Sequence, residues 1–470
     1  MRGYINAFDV VVVFSILSLA LALDHQPLED PTLDPHHQSA KSYSGYKVIR
    51  ADVPLAQVPM IEALEESLDV EVTARIPKGR MLTIDVLAAP EAESKVLQVL
   101  KYFDMEYEEI IHDLQDMIQE EIYEEIENFD LRSQHQMTWD NYHSFEVMHK
   151  YLQYLEEQYP HLITLIEIGK SSENRSLVVA QVSSGTNQPA IWIDGGLHAR
   201  EWVSPTTALY IIRQLVEKYE QNEAMVTMFD WYILPIANPD GYEYTRHYDR
   251  MWRKTRSKHF GENSRCVGVD PNRNFEFKWL QGGSSSYPCS DVYAGPYASS
   301  EPETVAISEF LMERKDQLMV YLSFHSYTQV WLMPWAYISD LPKNLHDLEE
   351  VANASATAMK KHNNTEFTVG TVTKLMYKAS GSSVDYAYGP VGIPFAYAIE
   401  LRDLGQYGFL LPKNQILPTA VETFDGMKVL AREVYKKLPK YRKHSSSNAE
   451  LITSEETTEL GTASDETSPS

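Results

Sequence analysis

The sequence predicts a three-layer α/β/α domain with a mixed, mostly parallel twisted sheet, preceded by a small α/β unit. From residue 138 onwards, short apolar runs typical of buried strands alternate with amphipathic segments typical of helices. Strands separated by helices favour parallel pairing in a sheet that is covered on both faces. With 470 residues and 43% hydrophobic content, the chain can bury a sizeable core.

The small unit falls within residues 45–101, where β-rich and helix-like segments alternate. Its predicted strands are 46–50, 70–74 and 81–87, and its predicted helices are 59–68 and 91–100. In the larger domain the predicted strands are 163–168, 177–183, 190–194, 231–236, 319–324 and 393–399. The predicted helices there are 145–159, 205–219, 302–315, 344–362 and 415–437.

An acidic stretch joins the two parts. Residues 104–130 contain twelve Asp and Glu residues and no Lys or Arg. Apolar residues recur there every four positions, which predicts one amphipathic helix with an apolar stripe. They are Ile110, Leu114, Ile118, Ile122 and Ile126. Arg132, the first basic residue after Lys101, follows in a polar linker and is either a protease site or part of a loop that is never cut.

The N-terminus resembles a signal peptide over residues 1–23, since a short basic start precedes an apolar run at 10–23. A retained membrane anchor is the alternative. Secretion exposes the chain to an oxidising compartment, where Cys266 and Cys289 could form a disulfide, or remain buried free thiols. In a secreted protein, three Asn-x-Ser/Thr sequons could also be glycosylated. These are at Asn174, Asn353 and Asn363.

Composition excludes several classes of protein. The net charge of −26 is incompatible with the basic surface of a nucleic-acid-binding protein. Two cysteines are too few for a four-cysteine zinc ribbon or an iron–sulfur cluster. The end of the chain, residues 439–470, is rich in Ser, Thr and Glu and is predicted to be disordered.

Candidate metal ligands follow two predicted strands. His-x-x-Glu pairs occur four times, so this spacing alone is weak evidence for a metal site. The pair His198/Glu201 differs from the others because it follows strand 190–194 and two glycines, at the end of a strand where α/β sheets bind ligands. His325 follows strand 319–324 in the same way. Two imidazoles and a carboxylate suit zinc, although His325 could also be an ordinary buried histidine.

Two further clusters could carry chemistry. Glu400 ends an apolar strand and needs either a function or an ion-pair partner such as Arg402. The arginines and asparagines of 252–256 and 270–274 could bind a carboxylate through charge-assisted hydrogen bonds, or simply belong to surface loops.

Taken together, six motifs closely resemble the secreted zinc carboxypeptidases of the A/B type, in the same order and with the same spacing. They are His198-Ala-Arg-Glu-Trp202, Asn238-Pro-Asp-Gly241, Trp252-Arg-Lys-Thr-Arg256, Gly268-Val-Asp-Pro-Asn-Arg-Asn274, Ser323-Phe-His-Ser-Tyr327 and Ile399-Glu-Leu-Arg-Asp403. The resemblance covers residues 133–438 in detail and 45–132 loosely, as the pro-segment of such zymogens.

The resemblance implies a catalytic centre. His198, Glu201 and His325 would bind one zinc ion, a ligand set known for carboxypeptidase A. Asp270 would orient His198 from outside this ligand set. Glu400 would transfer protons, and Arg253 would stabilise the developing oxyanion.

It also implies a site for the end of a peptide or protein substrate. Asn272 and Arg273 would hold its terminal carboxylate, Tyr377 would close over the last residue, and Arg200 and Tyr327 would contact the chain. The family position that carries an acid in members specific for basic residues maps to Val384, which is apolar. Four other positions lining this pocket are apolar too. They are Val372, Met376, Ala379 and Ala398. We therefore expect release of aromatic or large aliphatic C-terminal residues.

The implied organisation is that of a secreted zymogen. It has a signal peptide at 1–23, an activation pro-segment at 24–132, a catalytic domain at 133–438 and the tail at 439–470. A trypsin-like protease would cut near Arg132, and the product would be a monomer with no stable membrane association. The alternatives are a catalytically silent peptide-binding protein, an enzyme of basic or broader specificity, and a membrane-tethered form.

Overall fold

The computed structural model describes residues 40–65, 69–122, 135–185, 188–261 and 264–459, with side chains to residue 441. Its N-terminal unit is a four-stranded antiparallel sheet in the order β2-β3-β1-β4. The strands are β1 (Lys47–Pro54), β2 (Val70–Lys78), β3 (Met81–Ala88) and β4 (Tyr107–Ile111). Helices Val58–Glu65 and Pro90–Tyr102 pack on it. Their contact with the sheet buries an apolar core that includes Ile49, Ile84 and Val96.

The acidic stretch differs from its prediction as a single helix. Ile110 lies on β4, and the helix that follows spans Leu114–Ile122. The Asp113 carboxylate separates the two elements, because it accepts hydrogen bonds from the Gly45 and Gln115 amides at 3.0 and 2.9 Å. A four-residue apolar spacing does not reveal this boundary, since the β-branched residues at 110–111 also suit the edge of a sheet. Ile126 and Arg132 lie outside the described residues, as does the predicted signal peptide.

The larger domain contains an eight-stranded mixed sheet in the order β11-β10-β12-β9-β7-β8-β6-β5. Its strands are β5 (Ile163–Lys170), β6 (Ser176–Val182), β7 (Ala190–Asp194), β8 (Asp230–Leu234), β9 (Leu318–Ser326), β10 (Val330–Met333), β11 (Thr368–Thr371) and β12 (Phe395–Leu401). The four central strands β12, β9, β7 and β8 are parallel. This confirms the predicted fold class. The short strands β10 and β11 were not predicted.

Helices cover both faces of this sheet. They are Phe145–Gln158, Val203–Val216, Tyr219–Met228, Pro239–His247, Pro302–Glu313, Leu345–Asn363, Val372–Leu375, Ser383–Tyr388 and Ile416–Glu459. Alternate residues of β7 enter opposite cores, with Ile191 and Ile193 on one side and Trp192 on the other. The parallel strands carry their carboxyl ends to one edge, which places the residues after β7 and at the ends of β9 and β12 close together.

The last helix continues through residues 439–459, where we predicted a disordered tail, and it contains Pro439. The helix is also anchored, since the Tyr441 hydroxyl donates to Asp347 at 2.6 Å and its ring packs 5.0 Å from that of Phe395. Residues 460–470 lie outside the described residues.

Candidate active site

The turn after β7 carries the first two predicted ligands. Gly195 and Gly196 follow the strand, and a Cβ on Gly195 would lie only 2.8 Å from the Ser204 carbonyl oxygen. Gly196 has a positive φ of 62°, which favours glycine. This close turn brings His198 and Glu201 back over the end of the sheet, just before helix Val203–Val216 begins.

The three predicted metal ligands meet at this edge. His198 Nδ1 lies 2.8 Å from Glu201 Oε1, and His325 Nδ1 lies 3.0 Å from Glu201 Oε2. The two Nδ1 atoms are 3.1 Å apart, and the ligand atoms of all three buried residues lie within 4.8 Å of one another. Two imidazole nitrogens and a carboxylate converging in this way fit a zinc ion with a fourth position open.

The electrostatics also fit a cation. Burial alone would raise the pKa of the Glu201 carboxyl, but the facing His198 and His325 rings lower it. Burial lowers the pKa of His198, which favours the neutral imidazole that binds metal. The pKa of His325 shifts the other way: burial opposes the shift, but the facing Glu201 carboxylate raises it. The site therefore offers a buried carboxylate between one neutral imidazole and one imidazole that pairs with it.

Asp270 lies behind His198, as predicted. Its Oδ1 is 3.1 Å from His198 Nε2 and also accepts from the Asn272 amide at 2.8 Å. Its Oδ2 accepts from Arg253 Nη2 at 2.9 Å. Although burial opposes ionisation, the charges of Arg253 and Arg273 hold the pKa of Asp270 well below its usual range. Asp270 thus links the metal site to Arg253 and to its own segment, residues 270–274, which we call the arginine loop.

Glu400 lies opposite His325 in the parallel pair β12/β9. Burial raises the pKa of its carboxyl, and the facing His325 opposes that rise. The alternative of an ion pair with Arg402 is wrong, because Arg402 Nε donates to Glu422 at 2.7 Å. Glu400 therefore faces the metal site.

The arginine loop is tightly packed and not simply a surface loop. Arg273 is buried and donates to the Gly283 carbonyl at 3.0 Å and to the Tyr377 hydroxyl at 3.3 Å. Asn272 Oδ1 accepts from the Ser383 amide at 2.9 Å. Cys266 and Cys289 form a disulfide that closes the same region.

A cavity adjoins the metal site. Its charged lining residues include Glu201, Glu400, Arg253 and Arg273. Its apolar lining includes Val372, Met376, Ala379, Val384 and Ala398, which we call the apolar wall. Asp385 is not among the lining residues, because its carboxylate accepts from the amides of Ala336 at 2.9 Å and Tyr337 at 3.1 Å. Burial raises the pKa of Asp385 to about 7.

The N-terminal unit covers this cavity with residues that we did not predict. Thr73 and Ala74 line it directly. Three cleft residues are engaged by the unit, since Arg200 pairs with Glu71, Tyr327 donates to Asp85 at 3.0 Å, and Arg75 lies 4.4 Å from the centre of the Tyr377 ring. Further away, Arg250 forms a two-pronged ion pair with Glu121. Strand periodicity alone does not distinguish these residues from others on a polar sheet face.

The other His-x-x-Glu pairs do not form comparable sites. His259 contacts Glu301 at 2.6 Å, and Glu262 lies outside the described residues. His346 lies near Asp347 and Glu350, but both of these carboxylates pair with Lys437. His143 Nε2 accepts from the Thr138 amide at 3.0 Å.

A buried site of two imidazoles and one carboxylate, beside a second carboxylate and an arginine, defines a zinc hydrolase. Comparison with known proteins narrows this class. Residues 148–426 match the zinc carboxypeptidase family, and residues 55–121 match the carboxypeptidase activation peptide. The chain belongs to the zinc carboxypeptidase family and is a metallocarboxypeptidase with an activation peptide.

Curated relatives named as A-type and as B-type carboxypeptidases are similar to this chain. Carboxypeptidase B of Astacus astacus is 43% identical over 63% of this chain and 98% of its own. Carboxypeptidase A2 of Rattus norvegicus is 39% identical over 72% of this chain and 82% of its own. Zinc carboxypeptidase A 1 of Anopheles gambiae is 36% identical over 83% and 90%.

Solved structures share this architecture over most of the chain. Carboxypeptidase A from Helicoverpa armigera has a TM-score of 0.77 at 30% identity, covering 84% of this chain and 98% of that one. Thrombin activatable fibrinolysis inhibitor has a TM-score of 0.74 at 32% identity, covering 84% and 100%. Within the described ranges, no helix has the length and apolar character needed to span a bilayer.

Proposed function

We propose that this chain is the precursor of a zinc-dependent exopeptidase that releases aromatic or large aliphatic C-terminal residues. The observation that carries the proposal is the convergence of His198, Glu201 and His325 with Glu400 at the mouth of an apolar cavity. Zinc held by the first three residues would supply Lewis-acid polarisation of the attacking water and of the scissile carbonyl.

The residues around the metal site would do the remaining chemistry. Glu400 would take a proton from the attacking water and pass it to the leaving amine. Arg253, which lines the same cavity, would donate to the oxyanion that develops on the carbonyl. Asp270 would hold both His198 and Arg253 in place, since its two oxygens contact one each.

The terminal carboxylate of the substrate would bind at Asn272 and Arg273. Arg273 is buried beside the cavity and can present two guanidinium nitrogens to a carboxylate. Tyr377, already within reach of Arg273, would cover the last side chain. Arg200 and Tyr327 would contact residues further from the end. This clamp explains why cleavage would be limited to the last peptide bond.

The preference for apolar side chains rests on the cavity wall around Val384. An unpaired Lys or Arg there would lose its hydration without gaining a carboxylate partner, which is costly. Asp385 is next in sequence but is bound to two backbone amides of the 336–337 turn. The basic specificity suggested by the name of the Astacus astacus relative is the second candidate.

Activation would require removal of the N-terminal unit. The pairs Glu71–Arg200 and Asp85–Tyr327 occupy residues that substrate would use. We infer a signal peptide at 1–23, a pro-segment at 24–132 and a catalytic domain from residue 133, separated by a trypsin-like protease near Arg132. Secretion, use of the sequons at Asn174, Asn353 and Asn363, a monomeric product and no stable membrane association belong to the same proposal.

The test treats the secreted precursor with trypsin and assays two peptides that differ only in a terminal Phe or Lys, with and without a zinc chelator. We expect chelator-sensitive release of Phe alone. Release of Lys alone would still support an active carboxypeptidase but would contradict the proposed preference for apolar residues. Release of neither residue after complete cleavage at residue 132 would favour the silent peptide-binding protein. An Arg132→Gln precursor serves as the control and should remain uncut there.

A further inference from the structure

The second histidine of the metal site has an outer partner that the motifs did not reveal. His325 directs Nδ1 towards Glu201, and its other nitrogen, Nε2, lies 3.0 Å from the Ser323 hydroxyl. Ser323 lies two residues earlier on β9, so both side chains are on the same face of the strand. His198 has the Asp270 carboxylate in the equivalent place, whereas His325 has only a hydroxyl.

A buried carboxylate stands behind that hydroxyl. Ser323 Oγ donates to Asp194 Oδ1 at 2.5 Å, and the two residues are paired across β9 and β7. Asp194 Oδ2 accepts from the indole nitrogen of Trp192 at 2.7 Å. Asp194 and Ser323 are fully buried, and His325 is nearly so. The result is a buried chain of hydrogen bonds from the end of β7 to a metal ligand.

The direction of each hydrogen in this chain follows from the chemistry of its members. A carboxylate only accepts, so the single hydroxyl hydrogen of Ser323 points to Asp194. The Ser323 oxygen then accepts from His325 Nε2, which therefore carries a ring hydrogen. In the neutral ring that binds a metal, this leaves the lone pair on Nδ1, at the point where the three ligand atoms converge.

We propose that Asp194 and Ser323 are positioning residues that fix the metal-binding tautomer of His325 and thereby raise the zinc affinity of the site. They would act through His325, without direct contact with the metal or the substrate. This role extends the general rule that a metal-bound histidine needs a partner on its other nitrogen. A purely structural alternative exists, since the same hydrogen bond also joins β7 to β9.

The substitution Asp194→Asn separates these two roles. The Asn oxygen must still face the Trp192 donor, so its amide group faces Ser323 and donates. Ser323 then turns its hydrogen to His325 Nε2, and the ring hydrogen moves to Nδ1, where zinc should bind. We expect the zinc Kd to rise about 10–100-fold. The Kd is measured on the intact precursor by competition with a chromogenic zinc chelator.

Asp230→Asn is the matched control. Asp230 is also buried in the same sheet, and it accepts from the Ser183 hydroxyl at 2.7 Å and from Gln317 at 2.8 Å, without contacting a metal ligand. Its zinc Kd should equal that of the unmodified protein. An equal rise in both variants would mean that any buried carboxylate in the sheet matters, and would overturn the proposal.

Ser323→Ala provides a test that does not depend on the folding of the Asp194 variant. It should raise the zinc Kd by a similar factor, and adding Asp194→Asn to it should cause little further change, because the link is already cut. Saturating zinc should restore most of kcat after trypsin treatment. A zinc Kd within twofold of the unmodified protein in Ser323→Ala, or additive effects in the double variant, would overturn the proposal.

Discussion

The metal site and the rim of the cleft are held by different parts of the molecule. His198, Glu201, His325 and Glu400 contact one another and residues of the same large sheet. Rim residues such as Arg200 and Tyr327 are engaged by the N-terminal unit instead. The comparison teaches that the predicted metal ligands can converge while the N-terminal unit engages the predicted substrate contacts. Under the proposed function, we therefore expect activation to require removal of this unit and no rebuilding of the metal site.

The largest loss of activity should come from a substitution in the catalytic centre. Glu400→Gln in the trypsin-treated protein should lower kcat by about 10²–10⁴-fold, because it removes the group that moves the proton. KM should change little. Steady-state kinetics on a peptide ending in Phe measure both constants. Glu433→Gln, far along the last helix, is the control, and a kcat for Glu400→Gln within tenfold of the unmodified enzyme would contradict the role of Glu400.

The apolar wall should be the next most sensitive feature. Val384→Asp places a carboxylate in the cavity. The side chain of a C-terminal Lys could form an ion pair with it, whereas that of a C-terminal Phe would have to remove its hydration without replacing it. The ratio of kcat/KM for Lys over Phe should rise at least about tenfold, the equivalent of about 1.4 kcal/mol. Val384→Asn controls for size and polarity without charge. An unchanged ratio would show that Val384 does not line the pocket for the last side chain.

The rim should respond only before activation. Glu71→Gln weakens the ion pair with Arg200, so KM of the uncut precursor for a short peptide should fall about two- to tenfold. The trypsin-treated enzyme should be unaffected, because Glu71 is removed with the pro-segment. Glu93→Gln is the matched control, since Glu93 pairs with Lys47 inside the N-terminal unit. Equal changes before and after cleavage would argue against Glu71 as part of a removable cover.

The smallest effect concerns the turn behind the apolar cavity. Burial raises the pKa of Asp385 to about 7, above its unfolded value of 3.8, so the native state holds its proton more tightly. Asp385 therefore makes the free energy of unfolding fall as pH rises from about 4 to 7. Asp385→Asn should flatten this part of the pH dependence in urea unfolding. An identical slope in both proteins would show that Asp385 ionises normally.

The sequence predicted the site best where a candidate metal ligand directly follows a predicted strand. His198 and His325 each follow an apolar run, and parallel strands bring such positions to one edge. The resemblance to a known family then implied roles for Asp270, Arg253 and Arg273. In the structure, Asp270 contacts His198 and Arg253, and Arg273 contacts Tyr377. The alternative pairing of Glu400 with Arg402 could be rejected only from the structure, because Arg402 donates to Glu422 there.

Long-range contacts account for what the sequence did not reveal. Ile110 fits a helical repeat, yet pairing of Tyr107–Ile111 with β1 makes it part of a strand. Asp194 and Ser323 are polar residues within apolar strands, a pattern that could have indicated a functional or paired position. Their hydrogen bond to each other depends on the register of β7 and β9, which the sequence does not give. The helix beyond residue 439 depends on contacts of Tyr441 with Asp347 and Phe395, which lie far away in sequence.

The central claim is that the enzyme recognises a free chain end and releases one residue in a zinc-dependent reaction. The most direct measurement compares two peptides of identical sequence ending in Phe, one with a free carboxylate and one amidated, after trypsin treatment of the precursor. Mass spectrometry should show loss of one Phe from the acid, no change in the amide, and no reaction when zinc is chelated. Cleavage of both peptides, or cleavage at an internal bond, would contradict the account.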